Sequence, residues 1–536
     1  MDRDDLVYEP SDALPKLGWI ATLDLRTNRL GVAHGTAVEC HPRWMVEGVW
    51  DGRFADGNFH KGAHLFGSGI RLDGDAVYFM PSCALVDRLF YCRDGEKLLV
   101  SNSLLVLLAT TGAELDPRHD YLIEAKAVSV GVDSYETSFH VLHASIREFH
   151  QVFHKAIVVR GREIKLERTI GVRSFDDFAD YYGTLCERLA ALCANAVDPS
   201  RRAPLDLYGT LSNGYDSTAV TTIVRELGVS KFFTYVGAWA AKSTGSAKHE
   251  TAPIAAALGV ETVPLRAPLE PPIEDELLLR AAIPLAVQVP LLSMAGYVED
   301  HSEVAAVFTG FHGDIVWDMN VPEKFVSQAI IRHDMSGLDL SELRLKSGFF
   351  NVAVPFFYAA SIEDIVAVSR SGEMEPWRVN KRYDRPISRR IAESAGVPRE
   401  AFGFLKSGIF TVAIRPKHPE LRVKFFEHVG KNIVPLPLLY LRIGCDRYTL
   451  RLLEKATYVA KFKLNALKLE AALLRCYQWI NDGYSWAGGR LNLRNDLHMW
   501  AVAECVRDMR ERGIGQASPE IRRPVLRARA GAVAAS

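Results

Sequence analysis

The sequence predicts an α/β protein with two sheet-containing parts, and three observations carry that prediction. Short apolar or alternating runs between turn signals crowd residues 18–166, the pattern of a sheet-rich domain. From residue 205 apolar strands alternate with segments of helical period, the pattern of a doubly wound parallel sheet. Beyond residue 362 the period is mainly helical, a helical C-terminal portion of the second part. With 536 residues, two domains are the natural division. They are expected at residues 1–170 and 201–515, joined by a linking helix within 171–200. A tail at 516–536, rich in Arg and Ala, is expected to be disordered.

In chain order, strands are expected at Trp19–Leu23, Ala76–Met80, Ala84–Tyr91, Lys97–Ser101, Ala156–Val159 and Ile164–Leu166. Asp73-Gly74 and Asp94-Gly95 read as hairpin turns. Ser103–Ala109 and Tyr121–Ala127 read as helices. Phe175–Ala196 places Phe175, Phe178, Tyr182, Leu185, Leu189 and Leu192 on one helical face. Leu205–Tyr208 reads as a strand, 211–217 as a polar turn, and Thr218–Leu227 as a helix stopped by Gly228. Strands follow at Lys231–Gly237, Val260–Leu265 and Val304–Phe308, with a helix at Glu250–Leu258. Helices are expected again at Tyr383–Ala395, Tyr448–Asn465, Ala471–Ile480 and Leu497–Arg512.

Composition narrows the function classes. Lys+Arg 64 against Asp+Glu 65 leaves a formal charge of −1, so no global basic field argues for nucleic acid. Eight cysteines without a Cys-x-x-Cys pair suggest neither zinc nor a disulfide framework. The most apolar region, Leu277–Val298, is interrupted by Arg280, Pro284, Gln288 and Pro290 and makes a poor membrane span. The acidic start MDRDDLVYEPSD does not read as a secretory signal. A soluble cytoplasmic protein is expected, with a small-molecule or peptide substrate, no nucleic acid or membrane partner, and a homodimer as the candidate assembly.

The chemistry concentrates at residues 205–228. A strand, a small-residue loop and a helix start point backbone N–H groups and the helix dipole at an anion. Ser212, Gly214, Ser217 and Thr218 add small size and hydroxyls, and Asp216 offers a carboxylate to a hard divalent cation. The same residue types make ordinary turns and N-caps, so the composition leaves both readings open. The loop lacks the Lys of a Walker loop.

Ser212-Asn213-Gly214-Tyr215-Asp216-Ser217 resembles the Ser-Gly-Gly-x-Asp-Ser pyrophosphate loop of N-type ATP pyrophosphatases, in particular the asparagine synthetase family. Asn213 replaces the first Gly. Gly310-Phe311-His312-Gly313-Asp314 is similar to that family's Gly-Glu-Gly-Ala-Asp loop. Lys406-Ser407-Gly408, after the Tyr383–Ala395 helix, is similar to its Lys-x-Gly loop. The resemblance implies an ATP-pyrophosphatase domain that binds ATP through Leu211, Ser212, Asn213, Gly214, Asp216, Ser217, Thr218, Val236, Gly310 and Lys406. It implies Mg²⁺ on Asp216 and Asp314, and a catalytic Lys406 at the α-phosphate. Read alone, Asp314 also suits a helix N-cap, and Lys406 also suits a solvated loop.

The family's departures here are informative. Phe311 cannot ionise. His312 takes the place of a Gly and is the candidate for acid/base work, or is a loop histidine bonded to backbone. Asn351, Ala353 and Tyr358 stand where the family's Glu-Val-Arg-x-Pro-Phe-Leu-Asp segment has Glu, Arg and Asp. Asp87–Gly95 with Leu98–Ser103 resembles a stretch of the family's glutaminase domain, an N-terminal-nucleophile (Ntn) fold. That domain's cysteine belongs at position two, where this chain has Asp2, and Cys40 is the nearest cysteine, so a degenerate Ntn-hydrolase-like domain is expected. The leading expectation is an AMP- and pyrophosphate-forming ligase joining a substrate carboxylate to a substrate amine, similar to β-lactam synthetases and lasso-peptide cyclases. An ammonia-dependent amidotransferase and a nucleotide- or partner-binding pseudoenzyme are the alternatives.

Overall fold

The computed structural model describes residues 5–236, 251–285, 287–403, 415–432 and 493–515, with shorter stretches inside 448–481. Residues 7–167 form strands β1 (Val7–Pro10), β2 (Trp19–Asp24), β3 (Leu30–His34), β4 (Glu39–His41), β5 (Trp44–Val49), β6 (Phe66–Asp73) and β7 (Ala76–Met80). They continue with β8 (Leu89–Asp94), β9 (Lys97–Ser101), β10 (Glu114–Leu115), β11 (Ser138–Leu142), β12 (Glu148–Val152), β13 (Ala156–Arg160) and β14 (Glu163–Glu167). Two sheets result, ordered β1-β3-β2-β9-β8-β12-β11-β10 and β14-β13-β7-β6-β5-β4. Trp19, Leu23, Val32, Leu98 and Val100 of the first meet Met45, Ile70, Val77, Phe79 and Ile157 of the second. Both sheets thus bury one face in a shared apolar layer. The Asp-Gly hairpins form as read, Gly74 and Gly95 each supplying a φ of 58° between paired strands.

The second part is built on β15 (Asp206–Thr210), β16 (Lys231–Tyr235), β17 (Glu261–Leu265), β18 (Ala305–Thr309) and β19 (Phe349–Ala353). All neighbours are parallel, in the order β17-β16-β15-β18-β19. Every residue of β18 and β19 is buried, as strands covered on both faces require. The chain builds outward from β15 to β17, then returns to the other side of β15. That reversal opens a crevice at the carboxyl ends of β15 and β18.

Helices Leu104–Thr111, Ile273–Ala282, Leu292–His301 and Leu493–Glu511 fill the space between the eight-stranded sheet and the parallel sheet. The linking helix, Phe178–Ala196, starts with Asp177 accepting from the Asp180 amide. Polar contacts also cross between the two parts. Arg344 donates to Glu47 (2.7 Å) and Asp87 (2.5 Å), all three side chains buried. Glu342 accepts from Ser103 Oγ (2.6 Å) and the Leu104 amide (2.9 Å), so it caps a helix of the other part.

Several expectations shift. The strand expected at Ala84–Tyr91 begins only at Leu89, because Asp87 and Arg88 are held in the interface, Arg88 by Gln151 and the Ala282 carbonyl. The helix expected from Thr218 begins at Tyr215, which puts Asp216 in its first turn. Ala471–Ile480 lies within a longer helix, Leu467–Asn481. Most of Tyr448–Asn465, and the tail at 516–536, fall outside the described residues.

Candidate functional site

The loop after β15 is closed by its own hydroxyls. Ser217 Oγ accepts from the Ser212 amide (3.1 Å) and lies 2.6 Å from Ser212 Oγ. Ser212 Oγ in turn accepts from the Gly214 amide (3.2 Å). Thr218 Oγ1 donates to the Gly214 carbonyl at 2.7 Å. Leu211 is buried and its amide bonds Phe233 of β16 at 2.8 Å, which seats the loop on the sheet. Ser212 is exposed, whereas Asn213, Gly214, Asp216 and Ser217 are half-buried at the mouth of the crevice.

The loop after β18 closes onto Asp216. A Cβ added at Gly310 would lie 2.8 Å from Asp216 Cβ, and one at Gly313 would lie 2.6 Å from its Cγ. Only glycine lets these two backbones approach the carboxylate so closely. Between them His312 takes a φ of 71°, is buried, and stacks on Phe356 at 4.6 Å and 10°. Asp314 sits in the first turn of the short Gly313–Val316 helix.

A buried arginine joins the two loops. Arg385, 1% exposed, donates to Asp216 and stands 4.0 Å from Asp318 Oδ2. Burial pushes its pKa down, but the Asp216, Asp314 and Asp318 charges outweigh that and hold it above the usual arginine value. Its position is set by Pro386 opening the Pro386–Ser394 helix and by Asp384, which accepts from the Val379 (2.9 Å) and Asn380 (2.8 Å) amides.

One turn along that helix, Arg389 donates to Tyr215 Oη at 2.7 Å. Gly403, at a φ of 76°, donates its amide to the Asn213 carbonyl at 2.9 Å. A Cβ there would strike the Tyr215 ring at 2.4 Å. Lys406 lies outside the described residues, beyond this docked glycine.

The remaining positions are placed as follows. Val236, exposed, directly follows β16 and donates its amide to the Leu265 carbonyl at 2.9 Å. Asn351 is buried in β19 and accepts from Thr309 Oγ1 at 2.7 Å. Phe311 packs against Gly337, and Tyr358 is buried. The structure therefore brings residues 211–218, 310–314 and 403 together at one sheet end. It turns the ring of His312 into the protein.

Sequence reasoning missed Arg385 and Asp318. A lone arginine before a helix carries no local signal. Its role shows only in its partner, 169 residues away.

In the first part, Asp87, Ser103 and Leu104 are engaged by Arg344 and Glu342. Cys40 Sγ lies 3.5 Å from His34 Nε2, and burial pushes the thiol up to about 12. That is the opposite of an activated nucleophile.

Carboxylate oxygens are the donors a Mg²⁺ ion takes. Asp216, Asp314 and Asp318 all act on one cationic group, Arg385, so oxygen donors of the kind such an ion takes stand on both loops. Among the described residues no helix is long and apolar enough to cross a membrane. No protein-family model matches the chain, and no curated protein matches it.

Proposed function

We propose that this chain is an ATP- and Mg²⁺-dependent ligase that forms AMP and pyrophosphate while joining a substrate carboxylate to a substrate amine. The observation that carries the reading is the convergence of the Ser212–Ser217 and Gly310–Asp314 loops at the β15/β18 crevice, with two glycines pressed on Asp216. An ATP-pyrophosphatase domain behind a degenerate Ntn-type sandwich is the finer reading of the architecture.

In this reading the Ser212–Ser217 loop cradles the departing pyrophosphate, the hydrogen bonds that its Ser212 and Gly214 amides make within the loop being exchanged for phosphate oxygens. Asp216 and Asp314 would hold Mg²⁺, which supplies charge neutralisation for the phosphate oxygens. Arg385 stands among the same carboxylates and orients Asp216. Gly403 anchors the start of the segment carrying Lys406. In this reading Lys406, three residues further along the chain, would cover the α-phosphate. The substrate carboxylate attacks the α-phosphorus, the bond to pyrophosphate breaks, and the amine then displaces AMP from the acyl-adenylate.

A second reading has a specific observation behind it. The Arg385–Asp216 ion pair already neutralises the carboxylate expected on the metal, which favours nucleotide binding without chemistry. Exchange of labelled pyrophosphate into ATP, with panels of organic acids, separates the two. Exchange that requires Mg²⁺ and disappears in Asp216→Ala supports the ligase. ATP binding without exchange in any mixture overturns it. Product that scales with ammonium, with no organic amine, identifies the amidotransferase instead.

A further inference from the structure

Beside the crevice, Asp314, His333 and Asp334 each bring one ligand atom within 4.8 Å of the others. Asp314 comes from the β18 loop, and His333 with Asp334 from the segment that follows Arg332. Metal–ligand bonds of about 2.1 Å hold donor atoms no more than about 4.2 Å apart, so a sub-ångström closure suffices.

The three side chains are prepared to differing degrees. Asp334 Oδ1 accepts from the Ser336 amide at 2.9 Å and faces Arg332 Nη2 at 3.5 Å. Asp334 Oδ2 makes no hydrogen bond among the described residues. The His333 ring meets the Phe325 ring edge-on at 5.5 Å, and its nitrogens make no hydrogen bond among the described residues. Its orientation is thus set by an apolar contact that leaves the nitrogens for a ligand.

Charge points the same way. Two guanidiniums, Arg332 and Arg385, lie in the field of five carboxylates, Asp216, Asp314, Asp318, Asp334 and Asp339. Carboxylates thus outnumber guanidiniums around the cluster.

We infer that Asp314, His333 and Asp334 form a binding site for a divalent transition ion of the Mn²⁺ type, distinct from the Mg²⁺ that accompanies nucleotide and sharing only Asp314 with it. The imidazole sets the selectivity, because Mg²⁺ is taken by oxygen donors whereas imidazole suits transition ions. Three protein ligands leave coordination positions open to an exogenous oxygen. The site does not depend on the ligase reading, since it is assembled without nucleotide.

The test uses the full chain, stripped with chelator, and MnCl₂ with no nucleotide present. Wild type is expected to bind one Mn²⁺ that millimolar Mg²⁺ does not displace. Pulsed electron paramagnetic resonance should show coupling to an imidazole nitrogen. His333→Ala, an exposed substitution, should lose the nitrogen coupling and weaken binding at least tenfold with an unchanged melting temperature. Asp334→Asn should weaken binding too, while Asp216→Ala retains it. Mn²⁺ binding unchanged by His333→Ala, or lost in Asp216→Ala alone, overturns the proposal.

Discussion

Arg385 and Asp216 form a largely buried ion pair across the crevice, joining the start of the Pro386–Ser394 helix to the first helical turn after β15. Breaking such a pair from one side leaves the other charge uncompensated, at a cost of about 3–5 kcal/mol. Arg385→Ala and Asp216→Ala should each lower the denaturation midpoint. The double variant should cost less than the sum, because the second change relieves the orphaned charge. Urea unfolding of the four proteins checks this, and strict additivity would refute the coupling.

Gly313→Ala should damage the site more than the fold. Its methyl would press on Asp216 Cγ at 2.6 Å, so the carboxylate must move. Stability is expected to fall by about 1–3 kcal/mol, while pyrophosphate–ATP exchange falls at least tenfold. Gly403→Ala, with a left-handed φ and the Tyr215 ring in the way, should behave alike. Unchanged exchange in both variants counts against the crevice as the reacting site.

Arg344 locks the two parts together through Glu47 and Asp87. Arg344→Ala leaves two buried carboxylates without their cation, costing about 3–5 kcal/mol. Calorimetry should show one unfolding transition in wild type and a lower, broadened or split one in the variant. A transition of wild-type position and width would contradict the interface role.

Asp339 gives the stability a pH dependence. Burial pushes its carboxyl up to about 7, although the Gln288 amide donates to it at 2.5 Å. The folded state therefore holds this proton more tightly than the unfolded chain, whose carboxyl titrates near about 3.9. The contribution is full below that lower value and is lost as pH rises through about 7. Asp339→Asn removes it, so the variant's melting temperature relative to wild type should rise between pH 5 and pH 8. The ceiling is about 4 kcal/mol. A difference independent of pH would exclude Asp339 as its source.

The Ser212–Ser217 loop was legible because strand, small-residue turn and 3.6-residue period lie side by side in 24 consecutive positions. Its helix starts three residues before Thr218, because Tyr215 and Asp216 have the character of turn residues and only the extended Gly214 before them marks the first helical turn. In the sandwich, β5 was not read as a strand because all six residues are buried and no alternation shows. The hairpins at Gly74 and Gly95 were read correctly, because a left-handed turn has few acceptable residues.

What the sequence determined by itself is local: the parallel-strand pattern from residue 205, the small-residue loop at the first helix start, and the glycines around Asp314. Each depends on neighbours a few positions apart, where period and backbone freedom operate. Only the tertiary structure decided that Gly310 and Gly313 press on Asp216, that Arg385 pairs with it, and that His312 turns inward to Phe356. Those outcomes depend on strand order and burial, which bring together residues distant along the chain.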